Sequence, residues 1–194
     1  MKRMIFPALA ALSAILFSSC IGTAPVRDSV RRYLPAPPSA PVEVIAGAPS
    51  VGLREVTLPG YLDSSRIALR LSPGEVAYSD FNLWAQPLDK AVIGTVGRQL
   101  RARIGADRVD VYPWTPGVPH VVEVRLQFDC FEGDSSGAVR ASGRCVISGS
   151  ARTVIAPFDY SEKWDGKNYA SLAAALGEIL DRLAADLLAK AGGV

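Results

Sequence analysis

Few residues in this 194-residue chain combine into a reacting group, and the best candidates are cysteines. Cys130 and Cys145 stand on two strand-like runs, 121–132 and 138–150, joined by Gly133-Asp134-Ser135-Ser136-Gly137. A disulfide between them would close a loop of about sixteen residues and contribute about 3 kcal/mol in an oxidising compartment. Two buried free thiols that never meet are the alternative, and the spacing leaves both open. The single histidine, His120, follows a proline-rich loop with no companion at metal-ligand spacing, so it reads as a surface or strand-edge residue. Asp63, Asp80, Asp89, Asp107 and Asp110 are scattered among turns and helix ends, where carboxylates commonly cap backbone donors. The sequence has no glycine-rich phosphate loop, nucleophile elbow or zinc-spaced cysteine pair. The expectation is a protein without catalytic residues, cofactor or metal, with a carboxylate-only hydrolase as the outlying alternative.

Cys20 has a different setting. Lys2 and Arg3 open the chain, an uncharged apolar run of about thirteen residues follows from Ile5 to Phe17, and Ser18-Ser19 leads into the thiol. Such a run covers about 20 Å as a helix against the ~30 Å of a hydrocarbon core, so it reads as an export signal and not as a permanent span. Phe17-Ser18-Ser19-Cys20 resembles a bacterial lipobox with its leucine displaced to Leu16. That resemblance implies a signal peptide over 1–19, a lipid on the Cys20 sulfur and an acylated Cys20 amine, a set of chains that holds a protein to a bilayer durably. The alternative is an ordinary secretory signal in which Cys20 is incidental.

Removing nineteen of 194 residues leaves 175, enough for one domain and a tail. The formal charge of +2 includes Lys2 and Arg3, and Arg31-Arg32 is the one close basic pair outside regular structure, so a nucleic-acid partner is not expected. Residues 20–50 carry prolines at 25, 35, 37, 38, 41 and 49 and read as an extended tether, although Tyr33-Leu34 could already begin the domain. The folded part is then 51–194. Strand patterns cover 51–58, 66–71, 75–83 and 109–112, and the run from Val122 to Cys130 is the clearest period-two alternation in the chain. Strand 138–150 should pair with it antiparallel, and 152–158 could add another.

Leu88, Val92, Val96, Leu100 and Ile104 recur every four residues after Pro87, with Arg98, Arg101 and Arg103 off that stripe on an expected solvated face. Leu172, Leu176, Ile179, Leu180, Leu183, Leu187 and Leu188 form a second stripe, capped by Asn168 or Ser171. About six strands and two amphipathic helices predict an α/β single domain: a two-layer sandwich with a mixed, largely antiparallel sheet.

Three short motifs carry a family resemblance. Leu58-Pro59-Gly60-Tyr61-Leu62-Asp63, then Asn82-Leu83-Trp84-Ala85-Gln86-Pro87-Leu88, then Tyr112-Pro113-Trp114 follow in the order found in the PqiC-like (YmbA-like) ABC-type transport auxiliary lipoproteins, with Gln86 where an acidic residue is usual. The chain resembles that family from about Tyr33 to its C-terminus. The resemblance implies a non-enzymatic accessory subunit working beside a periplasmic MCE-domain protein and a membrane permease that move lipids or other apolar molecules between two membranes. It also implies an outer-membrane lipoprotein, because Ile21 replaces the aspartate that retains lipoproteins at the inner membrane, and a homo-oligomer, by analogy a ring of copies. A periplasmic lipid-binding carrier is the alternative within the same compartment. Tyr61, Leu62, Trp84, Pro113 and Trp114 are the candidate partner-binding residues, because large aromatics beside prolines in loops are typical interface anchors. The tryptophans could equally close the core.

Overall fold

The computed structural model describes residues 29–35 and 42–194. Eight strands and two helices follow in order: β1 (Arg31–Tyr33), β2 (Val51–Thr57), β3 (Arg66–Ser72), β4 (Glu75–Trp84), α1 (Leu88–Ile104), β5 (Val109–Val111), β6 (Val122–Asp134), β7 (Ala138–Ser148), β8 (Thr153–Lys163) and α2 (Tyr169–Ala191). The signal stretch and Cys20 lie outside the described residues. Among the described residues no helix is long and apolar enough to cross a membrane.

The sheet is assembled on β6, whose alternation of Val122, Val124, Leu126 and Phe128 with Glu123, Arg125 and Gln127 commits one face to the core and one to solvent. Along one edge it pairs antiparallel with β7, which pairs antiparallel with β8. The other edge is shared. Its first half takes β2 in parallel, from Val51 opposite Val122 to Thr57 opposite Gln127, and its far end takes β3 in parallel at Leu69–Arg70 opposite Gly133–Asp134. From β2 the sheet continues to β5, and from β3 to β4 and β1. The result is a mixed sheet of eight strands, richer than the six expected. A connection pattern alone could not reveal that two strands divide one edge of a third.

Both helices lie on one face, so the architecture is the predicted two-layer α/β sandwich. The α1 stripe from Leu88 to Ile104 and the α2 stripe from Leu172 to Leu188 are buried together against Leu53, Leu126, Phe131, Val139 and Ile147. Each fully buried leucine or isoleucine in this layer contributes roughly 2 kcal/mol by leaving water. The α2 start is capped by Asn168, whose side chain accepts from the Ala170 N–H. Tyr160 of β8 donates to Asp186 of α2 and ties the last strand to the last helix.

Three expectations change. Residues 31–33 are already a strand, with Tyr33 opposite Trp84. The run 42–50, read as tether, packs on the fold: Ala48 is buried, Ile45 N–H donates to the Arg103 carbonyl at 2.8 Å, and Arg108 donates to the Ala48 carbonyl. Proline-rich composition suppressed the regular pattern there without preventing docking. Arg103 is not on a solvated face. It is buried between the helices, with Nη2 2.7 Å from Asp181 Oδ1 and Nη1 donating to the Gln99 carbonyl at 3.2 Å. A helix that packs against a second helix as well as a sheet has a wider buried arc than a single stripe suggests.

Cys130 and Cys145 are free thiols, which corrects the expected bridge. A register shift between Phe128 and Cys130 places Cys130 opposite Ser142, while Cys145 stands opposite Leu126. The two cysteines are thus about three residues, or 10 Å, apart along the ladder and on opposite faces, beyond the reach of an S–S bond. Cys130 Sγ lies 3.1 Å from Ser142 Oγ, and buried Cys145 donates to the Ala156 carbonyl. The same register shift depends on Gly143, where a Cβ would fall 2.0 Å from the Gln127 carbonyl oxygen.

Removing one member of a buried ion pair strands the other. Asp181→Ala is expected to cost about 3 kcal/mol in urea unfolding, and the double change Arg103→Met with Asp181→Leu to recover most of it. Equal losses in the single and double variants would contradict a desolvated pair.

Candidate functional site

The sheet face opposite the helices carries charge, and two loops fold back onto it. The first follows β5. Asp110 is buried and accepts from the Thr115 N–H at 2.7 Å, the Thr115 hydroxyl at 3.0 Å and the Val111 N–H at 2.9 Å, which curls residues 110–115 into a tight loop through a cis Tyr112–Pro113 peptide. Burial alone would raise the Asp110 pKa, but the donors from Thr115 and Val111, together with nearby His120, outweigh it and hold the carboxyl below its ordinary range. Trp114 lies tilted against His120 with ring centroids 4.2 Å apart, and Tyr112 meets Trp114 edge-on at 5.4 Å. Both Trp114 and His120 sit over Gly52 of β2, where a Cβ would lie 2.8 Å from the imidazole and 3.0 Å from the indole. Only a missing side chain lets the loop lie this close to the sheet.

An arginine fixes this loop to β6. Arg54 of β2 places Cζ 5.6 Å from the Tyr112 ring centre and 5.9 Å from that of Trp114, while its Nε donates to Glu123 Oε2 at 3.0 Å. His120 Nε2 stands 3.6 Å from the other oxygen of the same carboxylate. The guanidinium therefore has an aromatic cage on one side and a counter-charge on the other. Above this base Tyr112 is 54 % exposed, with Pro113 also open to solvent.

The second loop follows β2 and repeats the arrangement. The short turn Gly60–Leu62 lays Tyr61 on the outer face of β3, where Arg70 Cζ is 5.5 Å from its ring centre and Arg70 Nε donates to Glu132 of β6. Burial, then the Glu132 charge, pushes the Tyr61 hydroxyl up to about 12, so it is a neutral phenol at any physiological pH. Tyr78 donates to the Tyr61 carbonyl at 2.8 Å and holds the turn from beneath. Leu62, 4 % exposed, and Trp84, 5 % exposed, point into the core at this end. Between them and the start of α1 runs an open groove of about 660 Å³ lined by Leu58, Pro59, Gln86 and Pro87 among others.

The five candidate contact residues therefore divide. Leu62 and Trp84 are core residues, Tyr61 is a half-buried ring under a guanidinium, and Pro113 and Trp114 belong to an outward loop at the opposite end of β2. No single surface contains all five. Nothing in the sequence marks out Arg54, Arg70 or Glu132, because each reads as one more polar residue in an alternating strand. His120 sits at the loop–strand junction, half-buried under Trp114, and its i,i+3 spacing to Glu123 was the one legible trace of the cluster. Among the described residues no three His, Cys, Asp or Glu side chains are grouped to hold a metal ion.

Against known proteins, a family model described as ABC-type transport auxiliary lipoprotein component matches residues 33–187. No curated protein sequence matches the chain. A crystal structure of an uncharacterized protein superposes with a TM-score of 0.64 at 21 % identity, covering 72 % of this chain and 90 % of its own. A Xanthomonas campestris protein assigned to DUF330 superposes with a TM-score of 0.61 at 20 % identity, covering 78 % and 91 %. At these identities the two structures share the fold.

Arg70→Ala leaves the buried Glu132 carboxylate without its cation and is expected to cost about 3 kcal/mol in urea unfolding, whereas Arg70→Ala with Glu132→Gln costs less. For Asp110 the sign follows from a folded-state pKa below the unfolded one. Its stabilisation is complete above the ordinary carboxylate value of about 3.9 and disappears as pH falls through the lower folded value. Asp110→Asn should be less stable than the parent by about 1–2 kcal/mol at pH 7, and urea titrations at decreasing pH should show that gap closing below about pH 4.

Proposed function

From membership of the ABC-type transport auxiliary lipoprotein component family, to which this chain belongs over residues 33–187, we propose that the mature protein is a non-enzymatic accessory subunit held by lipid on Cys20 at the periplasmic face of the outer membrane. In this reading residues 1–19 are removed as a signal peptide. The folded domain docks an MCE-domain periplasmic protein that works with an inner-membrane permease in moving lipids or other apolar molecules, and copies of the chain associate with one another. The observation that carries the docking part is the 112–114 loop. It presents an exposed Tyr112 and Pro113 on a base of Trp114, His120, Arg54 and Glu123 that is already ordered, so little conformational entropy is lost on binding.

An aromatic anchor on a rigid base is the residue type and setting that dominates interface energetics, typically ~2 kcal/mol or about thirtyfold in affinity per anchor. Tethering to a bilayer then raises the effective concentration of the domain for a partner bridging the envelope.

Two measurements test this. Mass spectrometry of the mature N-terminus should find a diacylglyceryl, acylated Cys20, and an unmodified start downstream of Cys20 would remove the anchor. Tyr112→Ala should stay folded, losing no more than about 1 kcal/mol in urea unfolding with its Arg54 contact, and reduce co-purification with an MCE-domain protein of the same envelope by tenfold or more. Unchanged recovery would remove the 112–114 loop from the interface.

A further inference from the structure

The place where the chain enters the fold limits how far the domain can stand from its anchor. Arg31–Tyr33 is paired residue by residue with Asn82–Trp84 of β4. A leash from Cys20 therefore reaches the described fold at Ser29, nine residues on. Whatever their conformation, nine residues reach no further than about 30 Å. The 23-residue helix α2 is about 35 Å long, so the domain cannot clear the bilayer by more than its own length. The end that carries Ser29 is the end held nearest to it.

That end has an unusual composition. Between β1, β4 and the start of α2 lies an open groove of about 360 Å³ whose lining includes Arg31, Lys167, Tyr33, Phe81 and Tyr169, with no carboxylate among the described residues that line it. Tyr33 and Tyr169 form its floor with ring centres 6.4 Å apart, and Tyr33 donates to Asn82 at 3.1 Å. Phe81 is 58 % exposed, a large ring in water at the rim. Arg31, Arg32 and Lys167 are all exposed. Among the described residues, the carboxylates closest in sequence to Phe81 and Lys167 are engaged elsewhere: Asp80 lies 3.4 Å from Arg66 Nη1, and Asp165 accepts from the backbone N–H groups of Lys167 and Asn168. Cations bind headgroup phosphates, and aromatic rings settle at the boundary between headgroups and acyl chains.

We infer that Arg31, Arg32, Phe81 and Lys167 form a membrane-facing surface that rests on the anionic phosphate headgroups of the bilayer to which the leash is attached. The inference rests on the lipid-anchor reading above. It fixes the orientation of the domain: the β1 edge faces the bilayer, and the 112–114 loop, at the other end of β6, faces away from it.

The test uses the mature chain with Cys20→Ser, which has no acyl group of its own, and measures its co-sedimentation at low salt with vesicles of phosphatidylethanolamine and phosphatidylglycerol at 3:1, or of phosphatidylcholine alone. Each basic group near an anionic surface is worth about fivefold in partition. Binding to the anionic vesicles should exceed that to phosphatidylcholine at least tenfold. The combined variant Arg31→Glu, Arg32→Glu and Lys167→Glu should lose at least tenfold with its melting temperature unchanged, and Phe81→Ala should lose about threefold. Partition that is absent, indifferent to phosphatidylglycerol, or unaltered in the triple variant overturns the inference and leaves an acidic protein as the occupant to seek. Because the chain in this assay is unlipidated, its failure leaves Cys20 acylation standing, while an unmodified N-terminus by mass would remove the anchor without changing the vesicle result.

Discussion

Two outward glutamates on one strand, each paired with an arginine from a parallel neighbour, fix what the rest of this molecule displays. Glu123 near the start of β6 holds Arg54 of β2, and Glu132 near its end holds Arg70 of β3. Each arginine in turn lies against an aromatic ring of a returning loop, Tyr112 and Trp114 in one case and Tyr61 in the other. This repetition is possible only because β2 and β3 share a single edge of β6, which presents the same carboxylate–guanidinium–ring stack twice along one strand. Glu132 is nearly sealed while Glu123 is one-third exposed. The Arg70 stack is therefore the stiffer and more structural of the two, and the Arg54 stack the one with surface to spare.

The two layers use opposite physics. On the helix side non-directional burial of leucine, isoleucine and valine does the work, and a buried ion pair, Arg103 with Asp181, sits between the helices. On the open side there is too little apolar area for a second core. Position there is set by directional contacts: the three donors to Asp110, the rings over Gly52, and the Tyr78 hydroxyl under the Tyr61 turn. Substitutions of similar volume should be tolerated in the first layer and poorly in the second.

Much of the architecture was readable from periodicity. The α1 and α2 stripes, the alternation of β6 and the antiparallel β6–β7 pair all follow from period and turn chemistry. What escaped were features that depend on partners distant in sequence. Arg103 looked solvent-facing because nothing local reveals that α2 packs beside it. Cys130 and Cys145 looked opposable because a register shift at Phe128 leaves no mark in the sequence, and β1 was hidden by the prolines on either side of it. The site was half legible. The Tyr-Leu-Asp, Trp-Ala-Gln-Pro-Leu and Tyr-Pro-Trp segments stand out in the sequence, but sequence could not tell that Trp84 and Leu62 point inward while Tyr112 points outward, nor supply the arginines that hold the loops.

The strand directions have a mechanical corollary. β4 runs antiparallel to β3 and β1 parallel to β4, so β1 is antiparallel to β6 and its first residue emerges towards the far end of that strand, while the 112–114 loop rests at the near end. Tension between these two points runs along the strand axes. It loads β1 against β4, and β3 against β6, by sliding one strand past its neighbour. Hydrogen bonds stretched in that geometry strain together instead of opening one at a time like a zipper, so even the three-residue β1 would resist a tug far better than its length suggests.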